Sequence, residues 1–161
     1  MELPKNVREP EETYAYSLEE VLAMMAATPE PASSMIAAVA FTGVRKGELR
    51  GFTWENYRDG RLRVKRSIWN GISTDSKSKK SKRTIPIIQQ LALRLAALRN
   101  SQGNPISGPL FPNGAGKAVA PDSVLNRVIL PALEVCEHCS KPKAEHDATV
   151  QHSYERNTVL P

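Results

Sequence analysis

An arginine just after a glycine turn that is trailed three residues later by a glutamate, Arg45 and Glu48, is the first pairing in this chain that could do chemistry. Attack on a phosphodiester builds negative charge on the non-bridging oxygens. A planar, permanently charged, bidentate guanidinium stabilises that charge best. Three residues along a helix puts Glu48 on the face of Arg45, where its carboxylate could hold that arginine or its neighbours by charged hydrogen bonds. Downstream, from Arg58 to Arg83, ten Lys/Arg stand against Asp59 and Asp75, a local +8 in a chain of net +5, so the remainder sums to −3. A basic block within an otherwise mildly acidic chain points to a polyanion partner. A third constellation is Cys136-x-x-Cys139 followed by His146 and His152. Two thiolates and two imidazoles suffice for tetrahedral zinc, and with four protein ligands the metal would be structural, leaving no position for water. Cys139 and His146 are closer than in common two-Cys two-His fingers, and His138 could replace either histidine.

The elements that must position these residues can be read from periodicity. Residues 1–16 are polar and contain prolines, a lead-in or linker. Ser17 with Glu20 forms a capping box, and Leu18, Val21, Leu22 and Met25 make an apolar stripe, predicting a helix to about Ala27. Pro29 and Pro31 break it. Ala32 to Phe41 is a small-residue apolar run long enough for a buried helix that Gly43 ends, and a short helical turn, Lys46 to Phe52, follows. At Arg61 the period changes to two. Leu62 and Val64 alternate with Arg61, Arg63 and Lys65, a strand with one basic face. Ile68 to Ser73, which carries the hairpin signal Asn70-Gly71, and Thr84 to Ile88, marked as an edge by Pro86, are read as two further strands. Leu91, Leu95 and Leu98 predict a helix from Gln89 to about Asn100. Pro121-Asp122 opens another, to about Val135, with Val124, Leu125, Val128 and Ile129 as its apolar face. Helices, a small antiparallel sheet, then helices again make the class α+β.

The thirteen residues Thr42-Gly43-Val44-Arg45-Lys46-Gly47-Glu48-Leu49-Arg50-Gly51-Phe52-Thr53-Trp54 resemble the first arginine box of the tyrosine recombinases, the phage-integrase family. The order of elements, two helices, the box, then a three-stranded sheet, is similar as well, and the resemblance covers roughly residues 10 to 135. It implies a mostly helical catalytic core with a small three-stranded antiparallel sheet, here from 17 to 135 and incomplete at its C-terminus. It also implies site-specific recombination or integration of double-stranded DNA with other recombinase subunits, as in mobile elements. Carried over, Arg45 is the first active-site arginine and Glu48 its supporting acid. The family's catalytic lysine precedes a segment ending R-x-[IV]-P-[IL], here Arg83-Thr84-Ile85-Pro86-Ile87, and its register falls on Lys77, with Lys79 the competitor. Such a lysine would protonate the leaving 5′ oxygen. Arg61, Arg63, Lys65, Arg66, Lys79, Lys80, Lys82 and Arg83 are read as contacts that position the DNA backbone, since Lys and Arg on strands and loops meet phosphates first. Trp54 is read as packing.

The family also requires a His-x-x-Arg box and a nucleophilic tyrosine. His138 is followed at the third place by Lys141, His146 by Thr149 and His152 by Glu155, and none of Tyr14, Tyr16, Tyr57 and Tyr154 follows the helical segment expected to carry the nucleophile. The expectation is a partial catalytic domain, truncated at 157–161, that binds DNA and cleaves none alone, with no cofactor for catalysis. The 136–156 Cys/His segment, with its structural zinc, stands outside the common pattern. The rival reading is a non-enzymatic nucleic-acid-binding module with a small zinc knuckle, and a third is a helical interaction domain with an incidental basic hairpin. No stretch has the ~20 apolar residues of a membrane span, and the N-terminus lacks the apolar core of a signal peptide, so the expected location is cytoplasmic with no membrane partner.

Overall fold

The computed structural model describes residues 15–69, 72–75, 83–136 and 154–156. Its first helix, α1 (Leu18–Ala27), starts at the anticipated capping box: Ser17 Oγ accepts from the Glu20 amide at 3.2 Å, and Glu20 Oε2 accepts from the Ser17 amide at 2.6 Å. Two orphan donors are thereby satisfied, worth ~1 kcal/mol. The stripe on α1 is only half covered. Met24 is buried, whereas Leu18 and Leu22 are 62% and 48% exposed. With Met25, Phe41, Ile88 and Leu91 they line a shallow apolar groove.

α2 (Ala32–Thr42) is buried along most of its length because its residues are small: Ala32, Ser33, Ser34, Ala37 and Ala38 let neighbouring elements approach its backbone. Gly43 ends it in the left-handed region at φ 61°, donating its N–H to the Val39 carbonyl at 2.9 Å, a conformation glycine adopts without a Cβ penalty. The chain then turns into α3 (Lys46–Arg50), which Gly51 closes, and into a 3-10 turn at Trp54–Asn56.

The sheet differs from the sequence-based expectation. Its three antiparallel strands are β1 (Tyr57–Arg58), β2 (Arg61–Val64) and β5 (Arg83–Pro86), in the order β1-β2-β5. Ile68 to Ser73 is therefore not one strand of it. The Asn70-Gly71 signal divides that stretch into β3 (Arg66–Trp69) and β4 (Ile72–Asp75), a separate two-stranded ribbon inserted between β2 and β5. β5 is an edge strand, as Pro86 requires. Leu62 and Val64 are buried at 1% and 3% while Arg61, Arg63 and Lys65 are exposed, the alternation read from the sequence.

α4 (Gln89–Ser101) buries Leu91, Leu95 and Leu98, and Arg94 ties it to the start of α2 through Glu30 (2.6 Å) and Ser33 (2.8 Å). The last helical stretch is α5 (Pro121–Val124), a π-helical segment (Leu125–Ile129) and α6 (Leu130–Leu133). Pro131 has no N–H to offer the Arg127 carbonyl, and the ladder widens just before it, the Leu130 N–H reaching back five residues to Leu125. That register leaves Leu125 42% exposed while Val124 stays buried, so Leu125 does not belong to the covered face. The helix also stops at Leu133 rather than Val135. From Glu134 the backbone turns to strand pairing, β6 (Glu134–Cys136) with β7 (Tyr154–Arg156).

One hydrophobic cluster joins these pieces, with Met35, Leu49, Phe52, Trp54, Leu62, Leu91, Leu95 and Leu110 among its buried members. Trp54 is 2% exposed; its Nε1–H donates to Gln102 Oε1 at 3.0 Å, and the Arg99 guanidinium lies 5.4 Å from its ring centre.

Candidate nucleic-acid interface

The arginine-box residues meet at the start of α3. Arg45 is the N-cap, in extended conformation (φ −73°, ψ 152°), and its side chain is exposed. The Glu48 carboxylate, 7% exposed as a residue, accepts the Arg45 backbone N–H on Oε2 at 2.9 Å. That bond is the half of a capping box that an acid three residues on can supply, and it fixes the direction in which the chain enters the helix. Both Glu48 oxygens also accept from Arg83, Nη1 to Oε1 and Nη2 to Oε2, each at 2.9 Å. This is a bidentate fork, the strongest geometry available to a carboxylate and a guanidinium. Glu48 therefore holds Arg45 by its main chain and spends its charge on Arg83, 35 residues away. The Arg45 guanidinium makes no hydrogen bond or ion pair among the described residues.

α3 is bound to the β3–β4 ribbon at close range, and its two glycines explain how. A Cβ on Gly51 would come within 2.5 Å of the Arg66 carbonyl oxygen, and one on Gly47 would overlap Ser67 Oγ. Arg66 Nε donates in turn to the Gly51 carbonyl at 3.3 Å, so this arginine is partly engaged within the chain. On the other side Lys46 Nζ reaches both oxygens of Asp122 at 2.9 and 3.0 Å, tying α3 to α5.

The register of the sheet sorts the remaining basic residues. Residues directly opposite each other in an antiparallel pair share a face. Val64 pairs with Arg83 and Leu62 with Ile85, so Arg83 leaves the sheet on the core side and finds Glu48. Arg63 pairs with Thr84, and Arg61 with Arg58, on the opposite face. Arg61, Arg63 and Lys65 thus lie away from the α3 side, and Arg83 is drawn into it. Lys77, Lys79, Lys80 and Lys82 lie outside the described residues, as do Cys139, His146 and His152. Cys136 is placed by its backbone in β6, opposite Tyr154. Among the described residues no group of three or more His, Cys, Asp or Glu is arranged to hold a metal, and no helix is long and apolar enough to cross a membrane.

Sequence reasoning missed the Glu48–Arg83 fork. No local spacing announces a pair 35 residues apart; only the β2–β5 register brings it together. Burial pushes the Tyr57 phenol above its ordinary 10.0, an effect the positive charge of Arg99 partly opposes.

Two helices leading to an arginine-bearing turn, then a small antiparallel sheet, then further helices make an α+β architecture. A solved structure of similar fold is the crystal structure of XerA recombinase, which overlays 74% of this chain and 41% of its own with a TM-score of 0.56 at 15% identity. At that identity the likeness is one of fold, and this chain spans less than half of that protein's length. No family model and no curated protein matches the sequence.

Proposed function

We propose that this chain forms part of a DNA strand-breaking and rejoining domain of the tyrosine-recombinase type, in which Arg45 meets the scissile phosphate and Lys77 donates the proton to the leaving 5′ oxygen. The observation that carries this reading is the state of Arg45. Its backbone is fixed by a buried carboxylate that is itself locked by a second arginine, while its guanidinium is exposed and makes no hydrogen bond or ion pair among the described residues. A surface Arg–Glu pair, by contrast, would use the charge of one on the other. A preorganised free guanidinium suits an oxyanion, since little reorganisation is needed when the negative charge develops.

Chain connectivity supports Lys77. Seven residues, 76–82, connect β4 to β5. β4 pairs with β3, whose Arg66 abuts Gly51, and Arg83 opens β5 on Glu48. Both flanks are therefore attached at α3, and Lys77 is two residues along the sequence from the end of β4. In the reaction so proposed a nucleophile attacks phosphorus, Arg45 stabilises the added charge, and the Lys77 proton passes to the departing oxygen. The nucleophile is not among the residues assigned here, so the activity proposed for this chain by itself is binding to the phosphate backbone of duplex DNA. Arg45→Ala should weaken that affinity several-fold and lower the salt slope by about one, as one phosphate contact is lost. Unchanged affinity and slope in a folded variant would refute the assignment.

The second reading, a nucleic-acid-binding module with a zinc knuckle, is favoured by the β6–β7 pairing. It sets the two ends of the Cys/His segment side by side, Cys136 opposite Tyr154. Cys136, Cys139, His146 and His152 would then hold one structural zinc, with His138 as a substitute ligand. About one zinc per purified chain is expected by elemental analysis. A metal-free, folded protein excludes the site.

A further inference from the structure

We propose that the outer face of the β1–β2–β5 sheet is a second phosphate-binding surface, pointing away from Arg45, and that it grips the backbone of duplex DNA. The proposal rests on the DNA-binding reading above and extends it to a separate face of the fold.

Four cations share this face. Arg58, Arg61, Arg63 and Lys65, with Thr84, line an open cleft of about 570 Å³ whose carboxylates are Glu55 and Asp59. Glu55 is engaged elsewhere, its Oε2 accepting the Gly108 N–H at 3.0 Å. None of the four cations makes an ion pair among the described residues. Arg58 stands directly across from Arg61 in the ladder. Like charges opposite each other destabilise a sheet, and among the described residues no carboxylate forms an ion pair with them, Glu55 and Asp59 leaving the cleft at a net positive charge. A bound polyanion would supply the counterion.

The spacing fits a repeating anion. Arg61, Arg63 and Lys65 are successive outward residues of one extended segment, so their Cα atoms recur every ~6.6 Å, and a row of cations at that interval meets successive phosphates better than one isolated group. The core-facing side of the same strands carries Leu62, Val64 and Ile85 and sends Arg83 to Glu48. Arg58, Arg61, Arg63 and Lys65 therefore lie on the face of the sheet opposite the one that engages Glu48 at α3.

The test uses a random-sequence duplex of ~30 base pairs and binding curves across a range of NaCl concentrations, for wild type, Arg63→Gln, and the triple variant Arg58→Gln/Arg61→Gln/Arg63→Gln. These side chains are exposed, so the triple variant should keep its melting temperature or raise it as repulsion is removed. Its slope of log affinity against log salt should fall by ~2–3 and that of Arg63→Gln by about one, at ~0.9 per phosphate contact. A wild-type slope in the folded triple variant, alongside a reduced slope in Arg45→Ala, would overturn the second surface and leave the DNA reading standing. Absence of salt-dependent binding by the wild-type chain would overturn both.

Discussion

Replacing Glu48 by glutamine isolates the interaction on which the geometry of the arginine box depends. The carboxylate accepts three hydrogen bonds, one from the Arg45 amide and two from Arg83. The best glutamine rotamer keeps its carbonyl at the Oε2 position, retaining two of them, and sets its NH2 against the Arg83 Nη1–H, which loses the third. A hydrogen bond to a charged group contributes ~1.5–3 kcal/mol and a neutral one ~0.5–1.5 kcal/mol, so one lost and two weakened bonds come to ~2–4 kcal/mol. The Arg83 side chain is 40% exposed, and water recovers part of its share, which brings the expected cost to ~2 kcal/mol. In a domain of this length that lowers the melting temperature by ~4–8 °C. Thermal melts followed by circular dichroism, repeated in an Arg83→Met background, measure it. There the glutamine should cost little, because only the Arg45 amide remains to be satisfied, and the cycle should show a coupling of ~1–2 kcal/mol. A shift under 1 °C, or the same cost in both backgrounds, would show that the fork does not set the local structure.

Gly51→Ala should cost ~1–3 kcal/mol in urea denaturation, because the new methyl meets the rigid Arg66 backbone, whereas Gly47→Ala should cost less, since its nearest clash is with a side-chain atom, Ser67 Oγ, and alanine favours the helix. Equal costs at the two positions would disprove the tight α3–β3 packing. Replacing Lys79, Lys80 and Lys82 together should flatten the salt dependence of DNA affinity by up to ~3 contacts; an unchanged slope removes them from the interface. The Tyr57 phenol ionises at higher pH folded than unfolded, so its contribution to stability is complete below pH 10.0 and declines as the pH rises through its folded value. Tyr57→Phe should therefore make the loss of stability above pH 10.0 shallower, and an identical slope in the two proteins would refute the burial effect.

Local chemistry determined much of this protein from the sequence alone. The Ser17 capping box, the stop at Gly43, the leucine spacing of α4, the alternation of Leu62 and Val64 with basic residues, and the edge position of Pro86 each follow from interactions within a few residues, and each appears where it was expected. Tertiary structure decided the rest. It chose β5 as the partner of β2, pairing Val64 with Arg83 and Leu62 with Ile85 across the inserted β3–β4 ribbon, because that pairing joins strands far apart along the chain. It cut the last helix at Leu133 so that Glu134–Cys136 could pair with Tyr154–Arg156. It also gave Glu48 to Arg83, leaving the Arg45 guanidinium without an ion pair among the described residues, and it turned Arg61 and Arg63 to the other side of the sheet. A sequence states which residues carry charge. Which of those charges are neutralised inside the fold, and which face solvent together, depends on registers that no spacing of three or four residues encodes.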